Sequence, residues 1–510
     1  MNGKEKWILI AILLIALIFR FQHIQSIPPG LYPDEAMNGS NALQALKTGD
    51  FKIFYPENNG REGLFINIQT LSLKILGAEP WALRGVSATF GVLTVLGLYL
   101  LVRLLFNWQI ASIASFYLAI SFWHVNFSRI GFRAIMIPFL LVWGFYFLWR
   151  GLRNFRFGDF TLSGIFFGLG LHTYIAFRFV PFIIILVLLS YWWSIKRDYS
   201  HDKYVHLRNE FVRRFALFFL AAFLVALPLL YYFWQNPADF LGRGGQISIF
   251  QTQEPLKELF KSLGLTMASF NFVGDFNWRH NFAGKPLLFW PVGVFFVIGL
   301  IKSISKIFKK WREHGHPATL HVLLLSWFFI MLLPSAFTWE GIPHALRSIG
   351  VLPVVMIFAA EGTWWLFETL IHWYREKDIH PLETPYKKEH EAKFIVGVAL
   401  IVLMTAIGIA EYDKYFNKWA KRPEVQDAFA ADFVKLGRKI NGLPQQVPKY
   451  VVVNASGVLV NGIPMPAQTV MFITGTYTEE KQKEKNIFYI LPGEEKFIRE
   501  PNAIILPMIK

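Results

Sequence analysis

Residues 7–36 read WILIAILLIALIFRFQHIQSIPPGLYPDEA, and this stretch decides the class of fold. Trp7 to Ile18 is apolar without a break and runs on into Phe19-Arg20-Phe21. The head before it, MNGKEK, carries two lysines. A short basic head can precede a cleaved leader, but no small-residue cleavage site follows here. The stretch is therefore expected to be an uncleaved first membrane span, with the N-terminus on the cytoplasmic side. Just beyond it Pro28, Pro29 and Pro33 stiffen the chain ahead of two adjacent carboxylates, Asp34 and Glu35.

The rest of the chain repeats the apolar theme. A crossing helix needs about 20 mainly apolar residues. Candidate spans are 7–23, 81–102, 110–124, 134–149, 160–174, 179–194, 215–234, 287–301, 319–337, 348–371 and 395–411. The fold class is thus mainly α: a polytopic membrane protein of about eleven spans over residues 1–411. Composition agrees, with 54% hydrophobic residues, 17% charged residues and a mean hydropathy of +0.38. A soluble domain carries about 25% charge. The absence of cysteine excludes disulfides, cysteine catalysis and thiolate metal sites, and leaves the redox compartment open.

The net charge of +16 is read from its distribution. With the N-terminus inside, the inner segments 1–6, 103–109, 150–159, 195–214, 302–318 and 372–394 hold 22 Lys and Arg in 83 residues. The outer segments 24–80, 125–133, 175–178, 235–286 and 338–347 hold 13 in 132. That contrast is the positive-inside pattern of a membrane protein, and no nucleic-acid partner is expected. Two outer loops are long, 24–80 and 235–286, the second with a surface helix near 254–269. Polarity rises in residues 412–510, which read as a small extracytoplasmic α/β domain. Its expected elements are a helix over Val425–Ile440 and strands at Tyr450–Val453, Thr469–Thr474, Asn486–Leu491 and Ala503–Met508.

Polar clusters punctuate the outer span ends. Asp34 lies near the start of an expected helix from Ala36 to Lys47, where a carboxylate is favoured; a cap and a catalytic base both fit that place. Arg61 and Glu62 sit in Glu57-Asn58-Asn59-Gly60-Arg61-Glu62-Gly63, either a solvated turn or a substrate contact beside Asp34. Arg129 and Arg133 follow His124 in His124-Val125-Asn126-Phe127-Ser128-Arg129-Ile130-Gly131-Phe132-Arg133. Outer arginines suit phosphate oxygens, though snorkelling anchors also fit. Tyr174 and Arg178 follow His172; His344 and Arg347 follow Trp339-Glu340. Together they point to one polar site at the membrane surface. His172, His344 and the acids are compatible with a divalent ion, but no ligand spacing such as His-Glu-x-x-His appears. No metal ligand is assigned and no cofactor is required.

These clusters resemble the bacterial GT-C glycosyltransferases, the superfamily of protein O-mannosyltransferases, the lipid A aminoarabinose transferase and the rhizobial lipopolysaccharide core transferases. Pro33-Asp34-Glu35-Ala36 is similar to their acidic first-loop motif. Arg61-Glu62-Gly63-Leu64-Phe65 is similar to the segment after it, although a Lys-Pro-Pro run is usual there in the aminoarabinose transferases. Trp81-Ala82-Leu83-Arg84-Gly85-Val86-Ser87-Ala88 resembles the start of the next span, and Ser128–Arg133 the second outer-loop signature. His344-Ala345-Leu346-Arg347 is a looser match to a late outer-loop segment. The resemblance is carried by residues 5–200 and implies a polyprenyl-phosphate sugar donor, an acceptor that is a glycan, lipid or protein, and inversion at the sugar. It implies Asp34 as base and Glu35 as orienting or acceptor-binding group. Glu62, Arg61, Arg129, Arg133, Tyr174, Arg178, His344 and Arg347 would bind substrate. Location in the plasma (inner) membrane, among membrane lipid, follows. The alternative is a transporter or flippase of lipid-linked sugars.

Overall fold

The computed structural model describes residues 1–376 and 385–508, so part of the inner segment 372–394 lies outside the described residues. Helix α1 (Gly3–Phe21) is capped by the Asn2 side chain, which accepts from the Glu5 N–H at 2.8 Å. Trp7, Ile10, Leu14, Leu17 and Phe21 are exposed along one stripe; Leu9, Ile12, Ala16 and Phe19 are buried on the other side. An exposed apolar stripe is costly in water and is the natural outer face of a helix in lipid.

The first long connection holds α2 (Pro33–Thr48), a hairpin of β1 (Phe54–Tyr55) with β2 (Arg61–Glu62), and α3 (Gly63–Leu76). There follow α4 (Pro80–Leu105), α5 (Trp108–Ile120), α6 (Phe122–Ser128), α7 (Met136–Asn154), α8 (Phe157–Leu171), α9 (Val180–Asp198) and α10 (His201–Gln235). The second long connection holds α11 (Pro237–Gln246) and α12 (Pro255–Ala268), the latter on the expected surface helix. Then come α13 (Trp290–His314), α14 (Thr319–Ala336), α15 (Leu352–Glu376) and α16 (Pro385–Tyr412). Helix α4 packs against α1, α3, α5 and α7, and α8 lies between α7 and α10. Helices α13 and α15 cross at glycines: a Cβ on Gly299 would meet the Phe358 carbonyl, and one on Gly362 the Phe295 carbonyl. Such crossings let backbones close together where no hydrophobic force separates helix from lipid.

Among the described residues, eight helices are long and apolar enough to cross a bilayer, nine if the bent pair α5–α6 is one span. All eleven sequence-derived spans fall on helices, and the difference lies in three of them. Helix α1 carries Lys4, Glu5, Lys6 and Arg20 at its ends. Helix α8 has 15 residues, or about 22 Å at 1.5 Å per residue, against a hydrocarbon layer of about 30 Å. The third, 110–124, straddles a 59° bend between α5 and α6.

That bend is held by charged side chains at both of its ends. Arg20 donates to the α5 carbonyls of Leu118 (3.2 Å) and Ala119 (2.8 Å), and the Phe122 N–H of α6 donates to Glu411 at 2.6 Å. A cation at a helix C-terminus and an anion at an N-terminus satisfy the groups that a break exposes.

After α16 the chain turns through a π-helical segment, Asp413–Trp419. The expected helix Val425–Ile440 is two helices, α17 (Pro423–Ala428) and α18 (Ala431–Asn441), broken at Ala430, whose φ is +52°. The break brings the Phe429 carbonyl and Ala431 against Gly30, where a Cβ would collide with both. Strand β3 (Lys449–Val453) is central in a parallel sheet; a hairpin of β4 (Leu459–Val460) and β5 (Ile463–Pro464) follows. The expected strand Thr469–Thr474 is instead helix α19 (Ala467–Thr474). Its β-branched residues favour a strand locally, but the segment is buried between α18 and α2, and Gly475 closes it in the left-handed conformation. With α20 (Glu479–Lys485), it makes the crossover that joins β3 to parallel β6 (Ile487–Ile490), while β7 (Ile504–Met508) pairs on the other side of β3. Val434 and Phe472 pack with Leu31, Ala36 and Leu83, and the Thr469 hydroxyl donates to the Leu31 carbonyl at 3.0 Å. The C-terminal region is thus clamped to the helix that bears Asp34.

Candidate functional site

A cavity of about 480 Å³ opens where the connections α1–α4, α6–α7, α8–α9, α10–α13 and α14–α15 converge. Among the described residues its wall carries five arginines (Arg61, Arg133, Arg178, Arg279, Arg347) and five carboxylates (Asp34, Glu62, Asp239, Asp275, Glu340). The wall thus mixes both signs, and what each group is bonded to decides which are available to a ligand.

Pro33 opens α2 and puts Asp34 on the cavity, where its carboxylate accepts from the Asn58 amide at 2.7 Å. Glu35 points elsewhere. It is fully buried, pairs with Arg84 (3.0 and 3.2 Å), and accepts from the Gly131 N–H (2.8 Å) and the Tyr32 N–H (3.2 Å). Arg84 also donates to the carbonyls of Pro28 and Gly30. Glu35, expected in the site to orient Asp34 or bind the acceptor, instead has both oxygens engaged and no place on the cavity wall, and it knits α2, α4 and two loops together.

Arg129 is corrected likewise. Its guanidinium is buried and donates to the carbonyls of Phe19 (3.0 Å), Gln22 (2.7 Å) and Ile27 (2.8 Å), beside the rings of Tyr415 and Phe416. It ties off the end of α1 and does not line the cavity. Arg133, four residues on, does line it; it pairs with Glu62 at 2.8 Å and covers the Tyr174 ring. Arg61 reaches the cavity but spends its donors on Asn38 (2.7 Å) and Asn41 (2.8 Å). Burial, and then the nearby Arg133, lower its pKa to about 10. Arg178 donates to the Phe240 carbonyl at 2.6 Å, and Arg347 to Thr338 (2.8 Å) and the Glu340 carbonyl (2.6 Å).

Among the wall residues that escaped the sequence reading are Asp275, Arg279 and His280. Arg279 lies 3.9 Å from the centre of the Tyr32 ring, and its Nε donates to Asn277 at 3.3 Å. Among the described residues no carboxylate pairs with it. Its place is set from outside the loop: Asn126 donates to the Arg279 carbonyl (2.6 Å) and Trp419 to that of Trp278 (3.1 Å). Asp275 accepts from the Asn277 N–H (2.8 Å), the Ala345 N–H (2.8 Å) and His280 Nδ1 (3.0 Å). Burial holds the His280 imidazole below its usual range, against the pull of Asp275. One ligand atom each from Asp275, His280 and His344 lie within 4.8 Å of one another, a set that can hold a metal ion. The available signal was the run Asp275-Phe276-Asn277-Trp278-Arg279-His280 inside a long outer loop.

Residues 64–232, a third of the chain, match the family profile of dolichyl-phosphate-mannose-protein mannosyltransferases. The fold is similar to ArnT from Cupriavidus metallidurans bound to undecaprenyl phosphate: TM-score 0.54, 13% identity, 98% of this chain and 90% of that one. At 13% identity the likeness is one of fold. The fold is also similar to the Archaeoglobus fulgidus oligosaccharyltransferase tethered to an acceptor peptide: TM-score 0.55, 14% identity, covering 97% of this chain. This chain spans 64% of that protein's length. The same oligosaccharyltransferase is known in complex with Zn and sulfate (TM-score 0.52, 14% identity, 95% of this chain and 62% of that one). No curated protein sequence matches the chain.

Proposed function

We propose that this protein is a membrane glycosyltransferase that moves a sugar from a polyprenyl-phosphate carrier to an extracytoplasmic glycan, lipid or protein. The observation that carries the reading is a carboxylate, Asp34, sharing one cavity at the end of a membrane helix bundle with Arg279, a guanidinium that no carboxylate among the described residues neutralises. The family profile and the lipid-phosphate complex of the similar ArnT structure support the same donor class.

The chemistry follows from these groups. An acceptor hydroxyl is a poor nucleophile, and Asp34, held by Asn58, takes its proton as it attacks the anomeric carbon. General-base assistance of this kind contributes about 10²–10⁴-fold. The carrier phosphate leaves from the opposite face, so the configuration inverts. The developing charge meets Arg279 on its Tyr32 platform, with Arg133, Arg178 and Arg347 behind it as preorganised dipoles and cations. The basic excess on the opposite loops supports an orientation with the cavity and the C-terminal region outside the cytoplasm, in the plasma (inner) membrane.

The test uses purified protein and a labelled polyprenyl-phosphate sugar, with products followed by mass spectrometry. Asp34→Asn is expected to reduce transfer by at least about 10²-fold while its thermal unfolding stays that of the wild type. A variant with full activity removes Asp34 from the mechanism.

A further inference from the structure

We propose that Asp275, His280 and His344 form a binding site for one divalent transition-metal ion of the zinc class on the cavity wall. The three ligand atoms lie within 4.8 Å of one another. Asp275 Oδ2 is 3.0 Å from His280 Nδ1 and 4.0 Å from His344 Nδ1, and the two imidazole rings are 4.8 Å apart between centres. Neighbouring ligands of a tetrahedral zinc ion are separated by about 3.3 Å at metal–nitrogen distances near 2.0 Å, so small side-chain rotations complete the set. Two carboxylate–backbone contacts already orient the acid: Asn277 N–H on Oδ1 and Ala345 N–H on Oδ2, both at 2.8 Å. Outer contacts of this kind fix a ligating carboxylate before the ion arrives. Asp275 and His280 come from one loop and His344 from another, so an ion also joins the two loops.

All three residues line the cavity, which leaves the fourth position facing its interior. Three protein ligands with an open position mark a site that meets a substrate or water. Arg279 and Arg347 are near His280 and repel a cation, which favours occupancy together with an anion such as phosphate. That last role rests on the glycosyltransferase reading; binding of the ion does not.

The experiment uses the full chain in nanodiscs, stripped with chelator and titrated with zinc alone by calorimetry. X-ray absorption of the loaded wild type reads the ligands. One equivalent per chain is expected, with two imidazoles in the first shell and a rise in Tm. His280→Ala and His344→Asn are expected to weaken binding by at least about tenfold. No uptake, fewer than two imidazoles, or equal uptake by both variants overturns the site. A fall in Tm on His280→Ala that is the same with and without zinc shows a purely structural Asp–His pair, which overturns it too. No lipid substrate enters these measurements, so a negative transfer assay and a negative metal titration remain distinct results.

Discussion

Adjacent side chains on a helix point about 100° apart, and that alone separates Asp34 from Glu35. Once Pro33 starts α2, one carboxylate faces the cavity and the other faces Arg84. Their variants are therefore expected to fail in different ways. Glu35→Gln leaves the Arg84 guanidinium buried without its counter-charge, which typically costs about 3–5 kcal/mol; thermal unfolding is expected to drop sharply, with activity lost through folding. Asp34→Asn is expected to keep the fold and lose chemistry. Arg279 belongs to the ligand in the proposed mechanism, so Arg279→Ala is expected to raise the donor KM by about tenfold or more, consistent with a charge-assisted contact of about 1.5–3 kcal/mol. Arg279→Lys restores the charge but not the planar fork over Tyr32, and steady-state kinetics should place it between the two. Were Ala and Lys both kinetically silent, Arg279 would have no part in donor binding.

At the level of elements, the α5–α6 break and the C-terminal clamp both serve the site. The break orients α6 so that Asn126 reaches the Arg279 carbonyl. Glu411, on α16, closes that break through the Phe122 N–H, so Glu411→Leu strands a buried donor at a cost of about 1–3 kcal/mol. Limited proteolysis of the loop around Arg279 is the readout, with faster cleavage than in the wild type expected. Gly30 is the other pivot. It has a φ of +63° and touches Phe429 and Ala431, so Gly30→Ala combines a strained backbone, about 1–3 kcal/mol, with a steric clash. Detachment of the C-terminal region is expected, seen as new protease sites after residue 412 with the membrane helices still intact. An unchanged digestion pattern would refute the clamp. Of these elements the α19 helix was illegible in sequence, because Thr469–Thr474 obeys strand propensity and only its burial between α18 and α2 overrides it.

For the whole molecule the charge asymmetry makes a directional prediction that the cysteine-free sequence renders easy to check. A single cysteine at Glu480, which is exposed in the C-terminal region, should react with an impermeant maleimide in intact cells. One at Lys310, at the opposite end of α13, should react only after the membrane is opened. The reverse pattern would invert the topology and place the cavity in the cytoplasm.

Apolar length is a property of short windows, so the helices that carry the expected spans and the polar clusters between them could be read residue by residue. Asp34 was legible for the same reason, since a proline-started helix places it locally. The pairing of buried charges was not. Arg84 meets Glu35 across 49 positions, Arg129 caps α1 from 107 positions away, and Asp275, His280 and His344 meet across two loops. Whether an arginine binds a ligand or a carbonyl depends on which partners folding brings within hydrogen-bond reach, and only the tertiary structure decides that.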